Sequence, residues 1–510
     1  MKNIKYILLA SVAIFLVSCN DPEDVDLSVQ EIIEDVPEAT AGSANFSNYV
    51  AIGNSLTAGF TDGALFKASQ ELSMPNILSA KFALVGGGSF TQPLTNDNFG
   101  GLAAGGNRIA GPRLVFGGAG PVGLESLIGP VTVSTDIALN NPAGPFSNLG
   151  VPGAKSFHLL APGYGNLGNV ALGLANPYFV RMTGATPNAS VLDLAVGQAP
   201  TFFSLWIGNN DVLGYATTGG DGTNPLTPVS GAPGMGFDGS YSALIATLTS
   251  TGAQGVVANI PNVTSIPHFT TVPHNPVPLD AGTAAAVNGA YAQYNGGLQA
   301  AFGALAGTGL LTQEEVDART ISFTAGENNA VVIEDETLTD LGAINPAFAA
   351  LPKIRQATAA DLLVLPAASF IGTLAVAGNP LTVNGVAIPL ADKWVLLPSE
   401  QAEIAAATTA YNAIISAAAS QAGLAFVDAN ALLDQLANSG ITSGEFTLTS
   451  SLVTGSAFSL DGVHPTARGY ALLANEFMKA IDATYGSNFE ASGNFVNVGD
   501  YPTNFSPTLQ

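Results

Sequence analysis

An open α/β fold is what this sequence predicts, from three observations. Short, almost wholly apolar runs recur along the chain, long stretches between them carry helical stripes, and polar or glycine-rich turns follow directly on the runs. Runs that are apolar at every position suit strands covered on both faces of a parallel sheet. Strands alternating with helices build such a sheet.

The first run, Tyr49-Val50-Ala51-Ile52, leads at once into Gly53-Asn54-Ser55-Leu56. The second, Phe202-Phe203-Ser204-Leu205-Trp206-Ile207, ends in Gly208-Asn209-Asn210-Asp211. A third, Gly255-Val256-Val257-Ala258-Asn259-Ile260, stops at Pro261, and a fourth, Leu424-Ala425-Phe426-Val427, stops at Asp428. Residues 400–422 place Ile404, Thr408, Tyr411, Ile415 and Ala418 on one helical stripe, with Ser399 as the expected N-cap and Gly423 as the stop. Residues 465–484 place Tyr470, Leu473, Phe477 and Ile481 on another. The stretches 85–145, rich in Gly, Asn and Pro, and 265–398, with mixed short elements, fit no compact sheet and are expected to be insertions that decorate it. A polar tail, 486–510, follows.

Composition narrows the function. Among 510 residues there are 14 Lys+Arg against 38 Asp+Glu, a net charge of −24. Nucleic-acid binding needs clustered cations, which this chain lacks. With 47% hydrophobic residues it is not disordered. A single Cys excludes any intrachain disulfide. That Cys ends a distinctive N-terminal segment, MKNIKYILLASVAIFLVSC. Lys2 and Lys5 precede an apolar run over 7–17, which is shorter than the ~20 residues a bilayer span needs and has the size of a signal-peptide core. Leu16-Val17-Ser18-Cys19 resembles a bacterial lipobox, which implies removal of 1–18 and diacylation of Cys19. The mature chain would then be held at a membrane by acyl chains without spanning it. The acidic stretch 19–45 reads as a solvated tether, and its acidic start resembles the surface-export signals of Bacteroidetes lipoproteins. The expected location is the bacterial outer membrane.

Four pieces carry chemistry. Ser55, in a tight turn after a strand, would expose its hydroxyl above the sheet, with a backbone N–H facing a developing oxyanion. Asp461-Gly462-Val463-His464-Pro465 supplies a base, and a carboxylate three positions earlier to fix its tautomer. Asn210, after the second strand, offers a side-chain amide, and Gly153, in Asn148-Leu149-Gly150-Val151-Pro152-Gly153-Ala154, offers an unhindered backbone N–H. The chain order Ser, Asp, His fits hydrolases on α/β sheets.

In this order the four pieces resemble the blocks of the SGNH hydrolase superfamily, the GDSL-type esterases and lipases, over roughly 46–262 and 424–484. The resemblance implies a three-layer αβα sandwich with a flavodoxin-like parallel sheet, occupying 46–485 with the two insertions. It also implies roles: Ser55 as nucleophile, His464 as general base, Asp461 as its orienting carboxylate, and Ser55 N–H, Gly153 and Asn210 as the oxyanion hole. No metal or organic cofactor is called for. Asn54 stands where the family usually has Asp, which removes a charge beside the nucleophile. The implied activity is hydrolysis of lipid or short-chain esters through an acyl-enzyme. O-acetyl groups on polysaccharides are the competing substrates, and a surface protein that binds without catalysis is the competing class. Of the remaining histidines, His268 and His274 read as loop surface, and His158 as structural. Asp221 shows no calcium-loop pattern, Asp211 is expected to brace its turn, and Trp206 to lie in the core.

Overall fold

The computed structural model describes residues 36–509. The signal segment 1–18, Cys19 and most of the tether lie outside the described residues. Five strands form one parallel sheet: β1 (Tyr49–Gly53), β2 (Asn148–Gly150), β3 (Phe202–Trp206), β4 (Gln254–Ala258) and β5 (Ala425–Val427). Their spatial order is β2-β1-β3-β4-β5, with Ile52 level with Leu149 on one side and Leu205 on the other. The chain steps one way from β1 to β2 and the other way to β3. The crevice beyond the carboxyl ends at such a reversal is where open α/β sheets receive ligands.

Side-chain alternation along the strands feeds two apolar layers. Val50, Ile52, Phe203, Leu205 and Val257 enter one, while Tyr49, Ala51, Phe202, Trp206 and Val256 enter the other. Helices cover both faces. After α1 (Ser55–Ala58) come α2 (Met74–Phe82), α3 (Asn209–Thr217), α4 (Phe237–Thr249), α5 (Ala281–Ala304), α6 (Pro398–Ala422), α7 (Ala429–Asn438) and α8 (Ala467–Tyr485). Tyr241 and Leu244 of α4 and Ile404 and Tyr411 of α6 pack in the first layer. Leu78 and Phe82 of α2 and Tyr470, Phe477 and Ile481 of α8 pack in the second. The result is a mixed α/β protein around a central parallel sheet.

Three expectations change in detail, and a fifth strand joins the four expected. The edge strand β2 is too short to show as an apolar run, and its Gly150 lies so close to α1 that a Cβ there would sit 2.3 Å from the Ala58 nitrogen. Helix α6 is not capped by Ser399: Pro398 takes the first helical position, and the Glu400 carboxylate reaches back to the Leu397 N–H at 2.6 Å. Helix α8 is capped by Thr466, whose hydroxyl accepts the Gly469 N–H at 3.0 Å, so Pro465 stands before the helix. The two insertions differ. Segment 85–145 forms two antiparallel hairpins, Leu102–Ala104 with Asn107–Ala110 and Leu114–Phe116 with Pro121–Gly123. In 265–398, Val287 and Leu298 of α5 and Val332 join the same apolar layer as Val50.

The chain ends are built in as well. Thr40 N–H donates to Asn488 Oδ1 at 2.7 Å, and Asn488 Nδ2 returns a bond to the Glu38 carbonyl at 3.0 Å. Phe489 is fully buried against Phe46 and Phe82. The buried Arg113 guanidinium donates to the Phe505 and Ser506 carbonyls at 3.4 and 2.6 Å. The compact unit therefore begins at Glu38, inside the expected tether, and includes the tail.

Candidate active site

Tyr49-Val50-Ala51-Ile52 is driven into the sheet by its apolar side chains, and the turn after it is fixed by Asn54. The Asn54 Oδ1 accepts the Leu56 N–H at 3.0 Å and caps α1, while its Nδ2 donates to Asn209 Oδ1 at 3.0 Å. Asn54 thus braces the turn and ties the β1 end to the β3 end. Ser55, at the first position of α1, is held where its N–H has no acceptor within the helix.

The base arrives from 409 positions away. His464 Nε2 lies 2.9 Å from Ser55 Oγ, and His464 Nδ1 lies 2.9 Å from Asp461 Oδ2. Asp461 also accepts the Val463 and His464 N–H groups on Oδ1, each at 2.8 Å, and the Gly63 N–H on Oδ2 at 2.8 Å. Burial pushes the Asp461 carboxyl up, but the facing His464 and the donated N–H bonds outweigh it and hold it well below the usual carboxylate range. Only a sliver of either side chain meets solvent, 15% for His464 and 12% for Asp461. A carboxylate that stays ionised behind the imidazole keeps Nδ1 protonated and leaves Nε2 free to take a proton from Ser55.

The other two pieces also meet. Gly153 has φ +81°, a left-handed conformation that favours glycine, in the turn after β2. Asn210, in the first turn of α3, donates from Nδ2 to the Ala154 carbonyl at 2.9 Å, so amide and turn are neighbours. Asn210 shares a cavity of about 100 Å³ with Ser55 and His464. Asp211 is structural but reaches beyond its own turn: its buried carboxylate accepts the Ser156 N–H at 2.8 Å and the Ser156 hydroxyl at 2.7 Å, and burial pushes its carboxyl up. Trp206 is in the core, with Nε1 donating to the Asn259 carbonyl at 3.0 Å, and it also lines the cavity.

The histidines correct one expectation. His268 is buried, in the short helix Pro267–Thr270, and its N–H donates to the Gly462 carbonyl at 2.9 Å, so the start of the second insertion buttresses the loop that carries Asp461 and His464. Burial pushes its imidazole down to about 4, against an opposing pull from Asp461, so it sits there neutral. His274 is half-buried in the same insertion. His158 is structural: Nδ1 accepts the Lys155 N–H at 3.0 Å and the ring stacks on Tyr164, beside a second cavity of about 760 Å³. Asp221 holds a turn through Thr223.

Sequence reasoning passed over a second loop that serves the site, 59–63. The Phe60 ring lies 4.6 Å from the His464 ring, Thr61 Oγ1 donates to the Pro465 carbonyl at 2.9 Å, and Gly63 is the third backbone donor to Asp461. The signal was available in Gly59-Phe60-Thr61-Asp62-Gly63, a turn sequence directly after the serine block. Among the described residues, Glu336, Asp392 and Glu400 form a carboxylate group with one oxygen each within 4.8 Å. None of them lines the cavity at Ser55. Burial and mutual repulsion push Asp392 up to about 6 and raise Glu400 too, so protons relieve the crowding there.

No family model, curated protein or solved structure matches this chain.

Proposed function

We propose that the chain is a serine ester hydrolase of the SGNH kind, with its three-layer αβα arrangement, acting through an acyl-enzyme and held at the bacterial outer membrane by a lipidated Cys19. The observation that carries this reading is the relay from Ser55 Oγ through His464 to Asp461, with 2.9 Å at each step. A hydroxyl, an imidazole and an ionised carboxylate in series form the constellation that activates a serine.

In the proposed cycle, Ser55 Oγ bonds to the ester carbonyl carbon as His464 Nε2 takes its proton. The oxyanion is received by the Ser55 and Gly153 N–H groups and the Asn210 amide. The carbonyl re-forms, the alkoxy group leaves, and His464 hands it the proton, giving alcohol and acyl-Ser55. Water then attacks, losing its proton to His464. Collapse breaks the acyl bond, frees the acid and returns the proton to Ser55. These side chains handle every proton and charge, so the reading calls for no cofactor.

Labelling with a fluorophosphonate probe tests it. The folded protein should take up one equivalent on Ser55, located by mass spectrometry of the digested adduct, and Ser55→Ala should take up none. A folded wild-type chain that stays unlabelled and cleaves no ester is instead a binding protein.

A further inference from the structure

The cavity at Ser55 is not a polar cleft. Beyond Ser55, His464, Asn209 and Asn210 it becomes an apolar slot, whose lining includes Leu432, Leu433 and Leu436 of α7 and Leu472 and Leu473 of α8. Ile441, just past the end of α7, and Glu476 are the lining residues farthest along the chain from the starts of the two helices. Both helices begin at the carboxyl edge of the sheet, α7 directly after β5 and α8 directly after the loop that carries His464. The lining extends two turns down each helix: Leu436 is seven residues past Ala429, and Glu476 is seven past Gly469.

We propose that this slot is an acyl-chain subsite, which takes the hydrocarbon chain of a medium-chain carboxylic ester while the scissile carbonyl sits at Ser55. The proposal rests on the serine hydrolase reading and adds its substrate class. Its first support is continuity, since Ser55 and His464 are themselves part of the wall. Its second is chemistry. The helical backbone satisfies its own hydrogen bonds, so between the catalytic groups and Glu476 the slot offers little but hydrocarbon. Sugar hydroxyls placed there would lose water and gain no partner. An acetyl group has one methyl and would leave the slot unfilled. An alkyl chain matches it along its length, and each methylene moved from water into it favours binding by about fourfold.

The geometry also sets a length. Two helical turns rise about 10 Å. An extended chain advances ~1.2 Å per bond, so the lined stretch matches the length of roughly eight carbons. Longer chains meet Glu476, whose side chain is 24% exposed and whose carboxylate gives hydrocarbon nothing to gain.

The test is the kcat/KM of the full-length protein on p-nitrophenyl acetate, butyrate, octanoate and palmitate. The value should climb from acetate to octanoate and stop climbing by palmitate. Leu436→Trp and, separately, Leu473→Trp, both at half-exposed positions, should lower the octanoate-to-acetate ratio at least tenfold. Two variants guard against one failing to fold. A flat or falling profile, or an unchanged ratio in folded variants, overturns the acyl slot while fluorophosphonate labelling of Ser55 leaves the hydrolase reading standing. No labelling and no turnover would remove the hydrolase reading itself. The slot is then judged on Ser55→Ala with a fluorescent dansyl fatty acid: saturable binding weakened by Leu436→Trp supports it, and no saturable binding sinks it.

Discussion

On one side of Ser55 a single carboxylate receives four hydrogen bonds, from His464 Nδ1 and from the backbone of Gly63, Val463 and His464, all between 2.8 and 2.9 Å. On the other side the lining from α7 and α8 is leucines that share no directed bond and are held by packing alone. The contrast separates two kinds of precision. The polar side depends on donors and acceptors that exist or do not, so one changed atom should disable it. The apolar side depends on volume, which hydrophobic swaps alter by degrees. Losses should therefore be steep on one side and graded on the other.

The largest loss belongs to Ser55→Ala. Ester hydrolysis should fall by about 10⁴-fold or more, with the melting temperature close to that of the wild type, because only one small hydroxyl leaves. Turnover that survives in the purified variant would take the nucleophile's role from Ser55.

Asp461→Asn comes next. Each carboxylate oxygen faces two donors, so an NH₂ in either place sets donor against donor. The imidazole loses its orientation, and kcat should drop about 10³–10⁴-fold. Stability should fall too, with a definite sign in pH. Because the folded carboxyl is held below its unfolded value, its contribution is present above the usual carboxylate range and disappears only as pH falls through the lower, folded value. Calorimetric scans should show the variant melting lower at pH 7, with the gap closing only in strong acid. Full activity, or a gap that ignores pH, would contradict the role given to Asp461.

Asn210→Ala should cost about 10²–10³-fold in kcat with KM little changed, since the donor acts on charge that develops in the transition state. A rise in KM with kcat intact would make Asn210 a ground-state contact instead.

The same contrast explains what could be read from the sequence. Polar chemistry needs particular residue types, so Ser55, Asp461, His464 and Asn210 stand out in a single chain, each beside the Gly or Pro that shapes its turn. Most of the sheet was legible too, because strands buried on both faces must be apolar throughout. β2 was not: it is only three residues long, and two of its signals, Asn148 and Gly150, serve hydrogen bonding and close approach rather than burial. The slot was invisible for a related reason. Leu433 and Leu472 look like any other core leucines, and only the fold brings them to line one cavity. His268 was misread because a Pro-rich surrounding suggests surface, whereas here proline starts a short helix that docks on Gly462.

The smallest predicted effect probes the support behind the polar side. Asp62 is 1% exposed and sits in the left-handed region at φ +52°. Its N–H donates to Ser459 Oγ at 3.0 Å and its Oδ1 accepts the Leu460 N–H at 3.1 Å, so it steadies the stretch of chain that leads into Asp461 and His464. Burial, reinforced by the Asp461 charge and opposed by the Leu460 N–H and Arg113, pushes its carboxyl from 3.8 up to about 7. Between those values the folded chain holds a proton that the unfolded chain has released, so stability is lost as pH rises through that window and the cost is complete above it. Asn is neutral at every pH, keeps an oxygen for Leu460, and tolerates the left-handed conformation well. Asp62→Asn should therefore melt near the wild type at pH 4 and a few degrees above it at pH 8, with the gain levelling off past pH 7. Thermal melts across that range decide the point. A gain that is already full at pH 4 would mean that packing, not the buried charge, sets the difference, and a loss at pH 8 would mean that Asp62 is needed ionised beside Arg113.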